Sequence, residues 1–403
     1  MAKNKVKKWA KFRHKVVRKT FVFPVGLYMR LKYRVKIRKF GKDKSPHLIL
    51  LNHQTPFDQI FCGFAFKQPI YYMATEDLFS NGLVSKVIKY LLEPIPIKKQ
   101  TTDVRAVLNC LKVAKEGGTI AIAPEGNRTY SGKTEYINPA IIPLIKKINL
   151  PVAIFKIEGG YGAEPRWSDV CRRGTINCGV TKVIPPSDFK DLSNEELYNL
   201  VCKELFVDES VSGGLYYHKK SAEYLERVIY VCPDCGFSHF YSSGKTFECK
   251  KCGKKVIYLA DKTFKGVNCD APFKTVNDWY EYQKSFVCKV DPASYIDSPI
   301  YVDTASVKEV IPYKKKVSVY KTAKISLYGN RIVIESNGES MTFDFDRVSA
   351  LAVLGRNKAN IYINGKAYQL KGDKRFNSVK YVNFYYHYVN VKKGEENEQF
   401  LGL

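Results

Sequence analysis

The segment Asn52-His53-Gln54-Thr55-Pro56-Phe57-Asp58 separates a histidine and an aspartate by four residues, with a proline between them. A turn at Thr55-Pro56 folds the carboxylate back onto the imidazole. This fixes the ring's tautomer and stabilises its protonated form while the other nitrogen takes a proton from an alcohol. Such a pair is a general base with its orienter, although a structural histidine at a strand end shows the same spacing. Further on, Ala123-Pro124-Glu125-Gly126-Asn127-Arg128 puts a carboxylate and a guanidinium on a tight turn. A planar guanidinium suits bidentate binding of a phosphate; the plainer reading is a Pro-Gly turn with an exposed ion pair of small energetic consequence. Both segments follow apolar strand-like runs, and α/β folds gather their ligands beyond the strand ends. A third constellation is Cys232-Pro233-Asp234-Cys235, then thirteen residues, then Cys249-Lys250-Lys251-Cys252, with Gly236 and Gly253 behind the pairs. Two such knuckles present four thiolates tetrahedrally and leave no position open for substrate. Cys232, Cys235, Cys249 and Cys252 therefore read as a structural zinc site in a segment too poor in apolar residues to fold without metal.

The histidine-aspartate pair and the Pro-Glu-Gly-x-Arg block together resemble the glycerolipid acyltransferase family, typified by 1-acylglycerol-3-phosphate acyltransferase. Ile95-Pro96-Ile97-Lys98-Lys99 looks like that family's second block, and Leu150-Pro151-Val152-Ala153 looks like its final proline-led strand. The likeness covers roughly residues 20 to 207. It implies that His53 is the general base, that Asp58 orients it, and that Glu125, Gly126 and Arg128, helped by Lys99, hold a phosphorylated acceptor. The co-substrate it implies is acyl-CoA or acyl-carrier protein, whose acyl group passes to a lysophospholipid hydroxyl. Three positions depart from the family pattern: Glu93 stands where glycine is usual, Lys99 where arginine is usual, and Ala123 where phenylalanine is usual. Lysine meets phosphate as a point charge rather than bidentately.

To position these groups, residues 46–210 alternate apolar runs with amphipathic segments. Strands are expected at 47–51, 70–74, 119–123 and 152–157, and helices near 57–66, 78–91, 104–114 and 140–147. Ser193 and Glu196 form a capping box that opens a helix running to about Val207. The fold class expected is α/β, a glycerolipid-acyltransferase-like αβ layer with a largely parallel sheet. A zinc ribbon at 228–258 and a connecting segment at 259–315 follow. In residues 316–392, seven brief β-prone runs are separated by turn signals such as Asn337-Gly338 and Asn364-Gly365, and a helix-like stretch from Phe376 to Val391 follows. This last module resembles a pleckstrin-homology-like or GRAM-like domain, or any small β-barrel or sandwich.

The chain is 403 residues long with a net charge of +27, and residues 1–44 alone hold 17 basic side chains against the single acid Asp43. Within residues 1–45, Val6, Trp9, Val16, Val17 and Phe21 interleave with the basic groups up to Pro24, as in a helix lying at a membrane interface. An anionic membrane surface is the expected partner, with Trp9 and Phe21 inserting; a basic tail or a nucleic-acid arm is the alternative. No run approaches the length of a spanning helix and no leader pattern follows the basic start, so a transmembrane or secreted protein is not expected. Eleven cysteines without a disulfide-framework pattern point to a reducing compartment. The expected setting is the cytoplasmic face of a membrane. Against the acyltransferase stand a nucleic-acid-binding zinc-ribbon protein and a catalytically silent lipid-binding scaffold. The first is disfavoured because the positive charge lies mainly outside the ribbon, and the second because every polar residue the chemistry needs is present.

Overall fold

The computed structural model describes residues 8–41, 43–79, 82–97, 103–210, 212–311 and 316–394. Lys99, Lys98 and residues 1–7, including Val6, lie outside the described residues. The chain forms two compact units, one of Met1–Arg128, Thr134–Ala163 and Gly174–Asp208, the other of Thr129–Lys133, Glu164–Arg173 and Glu209–Leu403.

The first unit runs α1 (Phe12–Tyr33), β1 (Val35–Ile37), β2 (Leu48–Leu51), α2 (Asp58–Ala65), β3 (Ile70–Thr75), α3 (Leu83–Leu92), β4 (Ile95–Ile97) and α4 (Val104–Lys115). It continues with β5 (Thr119–Ile122), α5 (Ile141–Ile148), β6 (Val152–Glu158), α6 (Gly160–Ala163), β7 (Ile176–Ile184), α7 (Pro186–Phe189) and α8 (Asn194–Leu205). Among the described residues the strands make one seven-stranded sheet in the order β1-β7-β6-β2-β5-β3-β4. Every pairing is parallel except β6 with β7. The run Leu48-Ile49-Leu50-Leu51 is buried at all four positions, as a strand covered on both faces must be. Because successive side chains alternate faces, Leu48 and Leu50 join Ile120, Ile122, Val152 and Ile154 in one core. The residues of that core from α4, α5 and α8 include Val113, Ile145 and Val201. The opposite side receives α2, which packs against β1 and β7. Helix α8 opens as its sequence requires: Glu196 N–H donates to Ser193 Oγ at 3.1 Å, and Ser193 N–H donates to the Glu196 carboxylate at 2.7 Å.

Three differences from the sequence reading matter. Pro24 does not close the N-terminal helix, since α1 continues through it to Tyr33. The short strands β1 and β4 and the long β7, which the local pattern does not announce, complete the sheet. Trp9 is not exposed for insertion: it is 4% exposed and belongs to the core with Leu48 and Val113, its backbone N–H donating to Glu116 Oε2 at 2.7 Å. Phe21 is half exposed.

The second unit holds a hairpin, β8 (Val231–Cys232) with β9 (Gly236–Phe237), and a four-stranded antiparallel sheet of β10 (Phe240–Ser243), β11 (Thr246–Cys249), β12 (Lys255–Tyr258) and β13 (Phe264–Gly266). Helix α9 (Val276–Cys288) follows, then β14 (Tyr301–Val310), β15 (Lys316–Leu327), β16 (Arg331–Ser336), β17 (Glu339–Asp344), β18 (Val348–Leu354), β19 (Lys358–Ile363), β20 (Lys366–Gly372) and α10 (Val379–Lys393). Among the described residues the last seven strands form an antiparallel sheet in the order β17-β16-β15-β14-β20-β19-β18, with α10 against β18 and β19. Asn337-Gly338 and Asn364-Gly365 turn with φ of +51° and +83°, and of +49° and +74°, the left-handed pairs that tight hairpins need.

The domain limits shift accordingly. The ribbon runs past 258 to include β13. The segment 259–315 is no mere connector, since it supplies α9 and the first strand of the module. Two of the seven β-prone runs expected from sequence, 317–321 and 323–328, fall in the single strand β15. The ribbon is also not poor in apolar support. Phe240 and Phe247 stack at 4.8 Å and both meet the Trp279 ring of α9 edge-on, as does Phe264.

Candidate active site and cysteine centre

In the strand order β6-β2-β5-β3, the chain leaves β2 toward β3 on one side, and leaves β5 toward β6 on the other. Loops that depart in opposite directions from the carboxyl ends of neighbouring parallel strands open a crevice between them. His53 follows β2 and Glu125 follows β5, so both line this opening.

Asp58 is the first residue of α2, and the turn at Pro56-Phe57 swings its carboxylate back toward the strand end. His53 Nδ1 lies 2.8 Å from Asp58 Oδ2. The same carboxylate accepts the Gln54 N–H at 2.6 Å, the Thr55 N–H at 3.0 Å and the Thr55 hydroxyl at 2.6 Å, and it is fully buried. A carboxylate already accepting this many donors serves as acceptor for the ring as well. The proton therefore sits on Nδ1, and Nε2 is left as the basic nitrogen. The His53 side chain is 18% exposed, enough for a substrate hydroxyl to reach it.

The surrounding residues hold this turn in place. Asn52 exchanges two hydrogen bonds of 2.8 Å with the backbone of Ile157, tying the end of β2 to β6. Gln54 Oε1 accepts the Tyr161 N–H at 3.1 Å. Gly160 approaches so closely that a Cβ there would stand 2.7 Å from Gln54 Oε1 and 2.9 Å from Thr55 Cγ2. Asn52, Gln54 and Gly160 are not announced by the sequence, because the residues their side chains or Cα positions meet lie about a hundred positions away and leave no local signal.

Glu125 has two backbone partners: Oε1 of its buried carboxylate accepts the His53 N–H at 2.8 Å and Oε2 accepts the Glu135 N–H at 3.1 Å. It braces the two loops against each other. Gly126, exposed and at φ +69°, makes the turn behind it, and Arg128 is half-buried on the same loop. Burial pushes the Glu125 carboxyl up from the usual 4.5 to about 8, against the pull of the two N–H donors. Between these values the folded protein retains a proton that the unfolded chain has released. The stability this group contributes is thus complete below about pH 4.5 and is lost as pH rises through about 8. Glu125→Gln should flatten that decline, by on the order of a few kcal/mol across the window. Urea unfolding of both proteins at about pH 5 and about pH 8 reads the difference, and equal slopes would show that the group does not carry the effect.

Glu93, which replaces the glycine of the acyltransferase pattern, has φ +44°, a left-handed conformation that glycine adopts freely. It caps the end of α3. Its buried carboxylate takes Lys11 Nζ at 2.6 Å and Arg13 at 3.1 Å. The departure thus exchanges backbone ease for an anchor on the basic N-terminal segment.

In the second unit the Sγ atoms of Cys232, Cys235, Cys249 and Cys252 all lie within 4.8 Å of one another, with Cys232 and Cys252 at 3.7 Å. A tetrahedral metal with bonds of about 2.3 Å separates its sulfurs by roughly 3.8 Å, whereas a disulfide would bring two of them to about 2 Å. Backbone N–H groups of Asp234 and Cys235 point at the Cys232 sulfur, and those of Lys251 and Cys252 at the Cys249 sulfur. Gly236 and Gly253, at φ +68° and +75°, permit both knuckles. The four thiols can hold a metal. The other seven cysteines are buried or half-buried.

Residues 32–153, less than a third of the chain, match the family model described as Acyltransferase, and this stretch contains both His53 and Glu125. Among solved structures the chain is similar to the crystal structure of the 1-acyl-sn-glycerophosphate (LPA) acyltransferase PlsC from Thermotoga maritima. The TM-score is 0.40 and the identity 22%, over 48% of this chain and 76% of that chain. It also matches the solution structure of the N-terminal PH domain of human ARAP2, with a TM-score of 0.17 and 14% identity over 23% of this chain and 81% of that chain. No curated protein matches the chain.

Proposed function

We propose that the protein is an O-acyltransferase of the 1-acylglycerol-3-phosphate type. It moves a fatty acyl group from acyl-CoA or acyl-carrier protein to a hydroxyl of a lysophospholipid, at the cytoplasmic face of an anionic membrane. The observation that carries this reading is the His53–Asp58 pair at 2.8 Å, with Nε2 left basic, inside the stretch matched by the Acyltransferase family model. His53 Nε2 takes the proton of the acceptor hydroxyl as its oxygen attacks the thioester carbonyl carbon. The tetrahedral intermediate collapses with cleavage of the C–S bond, and the imidazolium returns its proton to the departing thiolate. Ester and thiol are the products, and no covalent enzyme intermediate is needed, only an alcohol held in line with the thioester. Asp58 holds the imidazolium while it carries charge. Arg128, with Lys99, meets the acceptor's phosphate. Glu125 and Gly126 keep the two loops in register.

Zinc is the metal proposed for the four cysteines, because soft thiolates in tetrahedral array suit it and the filled shell makes the site structural rather than catalytic. Its place is to stabilise the fold around β8 to β12.

A panel of lysolipids differing in head group, offered with one labelled acyl thioester, tests the reading: label should enter phosphate-bearing acceptors first. Arg128→Ala should raise KM for a phosphorylated acceptor by about tenfold or more, with a smaller change in kcat, since phosphate is held in ground state and transition state alike. An equal KM for phosphorylated and dephosphorylated acceptors in the parent protein would remove Arg128 from that role.

A further inference from the structure

Helix α3, Leu-Val-Ser-Lys-Val-Ile-Lys-Tyr-Leu-Leu, has seven apolar residues among its ten, yet the one residue it buries is Ser85. Leu83 is 76% exposed, Val84 60%, Tyr90 61%, and Val87 and Leu92 47% each. A soluble surface helix turns its apolar stripe inward, so this inverted arrangement marks a surface made for an apolar contact outside the unit. Leu83, Val87 and Tyr90 fall on one face by their spacing. Helix α1 extends the surface. Arg13 lies over the Tyr90 ring at 4.4 Å, the Glu93 carboxylate binds Lys11 and Arg13, and the neighbouring Phe12 is 80% exposed.

The charges decide the occupant. Neither α1 nor α3 contains an aspartate or glutamate, whereas α3 has Lys86 and Lys89 and α1 has six Lys and Arg. A second copy of the chain would set these cations against their own kind. An anionic bilayer offers apolar depth beneath a negative surface and suits both features.

We propose that the α1–α3 face docks on an anionic bilayer. Phe12, Leu83, Val84, Val87, Tyr90 and Leu92 enter the acyl boundary, and Lys86 and Lys89 meet lipid phosphates. This rests on the lipid-acceptor reading above for its purpose, and on the inverted burial of α3 for its location. Trp9, being core, takes no part.

Full-length protein is sedimented with vesicles of equal parts phosphatidylglycerol and phosphatidylcholine, and with phosphatidylcholine alone. The parent should prefer the anionic vesicles, and Leu83→Glu/Val87→Glu should weaken its partitioning by about tenfold or more. Lys86→Glu/Lys89→Glu, which leaves the apolar contact intact, should weaken it too and reduce its dependence on salt; this pair keeps the test decisive if the first variant misfolds by circular dichroism. Partitioning of both variants within twofold of the parent overturns the proposal. So does a dimer, seen by sedimentation velocity, that the same substitutions dissociate. Acyl transfer to a short-chain lysophospholipid below its micelle concentration is read separately. Its absence in the parent counts against the proposed chemistry, and vesicle partitioning still decides the docking face.

Discussion

Replacing His53 with alanine is expected to lower kcat for acyl transfer by roughly two to four orders of magnitude, the contribution of a positioned general base, while leaving KM for the acceptor close to its parent value. The imidazole meets the hydroxyl only as the proton moves, whereas the phosphate contacts exist before and after. Asp58→Asn should be comparably slow for a different reason. The carboxylate accepts Gln54 N–H, Thr55 N–H and the Thr55 hydroxyl besides the ring. An amide in that position turns an N–H₂ toward at least one of these donors, no longer favours the Nδ1–H tautomer and cannot stabilise the imidazolium. Steady-state kinetics over a range of acceptor concentrations separates the two parameters. A folded His53→Ala variant with near-parent kcat would remove the base from the mechanism.

Cys232→Ser or Cys249→Ser is expected to lower metal affinity by more than about a hundredfold, the upper range for losing even an outer-shell partner, and to release the metal on purification. The damage should stay local. The knuckles at Cys232–Gly236 and Cys249–Gly253 lose their centre, whereas Phe240, Phe247 and Phe264 keep the Trp279 ring of α9 and the seven-stranded module keeps its own ladder. Atomic absorption should find about one zinc per parent chain and far less in either variant, and hydrogen exchange should rise chiefly in residues 231–258. Iron with visible absorbance in the parent would replace zinc by a rubredoxin-like centre.

How much of this could be read in advance follows from the range of each interaction. The turn bringing Asp58 to His53 is encoded within six residues, as are the Ser193–Glu196 box, the cysteine knuckles and the Asn-Gly hairpins, and each stands where its local chemistry puts it. What sequence did not reveal depends on distant partners. Glu125 reads as a ligand-binding acid in sequence, and its bracing of the backbone N–H groups of His53 and Glu135 depends on partners 72 and 10 residues away. Trp9 in a basic stretch looks like a membrane anchor, but the Glu116 carboxylate draws its segment down and the core takes the ring. Strand β7 is recognisable only once β6 and β1 flank it. The break expected near Thr322 is an irregularity inside one strand: the β14 ladder shifts register between Ala305, which faces Ala323, and Val307, which faces Tyr320, while β16 pairs only with Lys324–Leu327. Glu93 could be seen as a departure from the family pattern. Its φ of +44° and its hold on Lys11 and Arg13 explain how the departure is accommodated.

The central claim is that a thioester's acyl group passes to an alcohol with His53 as base. Its most direct measurement counts thiol and ester together. Purified protein is given a labelled acyl thioester with and without lysophosphatidic acid, free thiol is titrated, and the labelled lipids are separated. The account predicts thiol release that requires the acceptor, is matched one for one by new ester, and disappears in His53→Ala. Thiol release matched by free fatty acid would make the protein a hydrolase, and no release with any acceptor, from a folded protein, would contradict catalysis altogether.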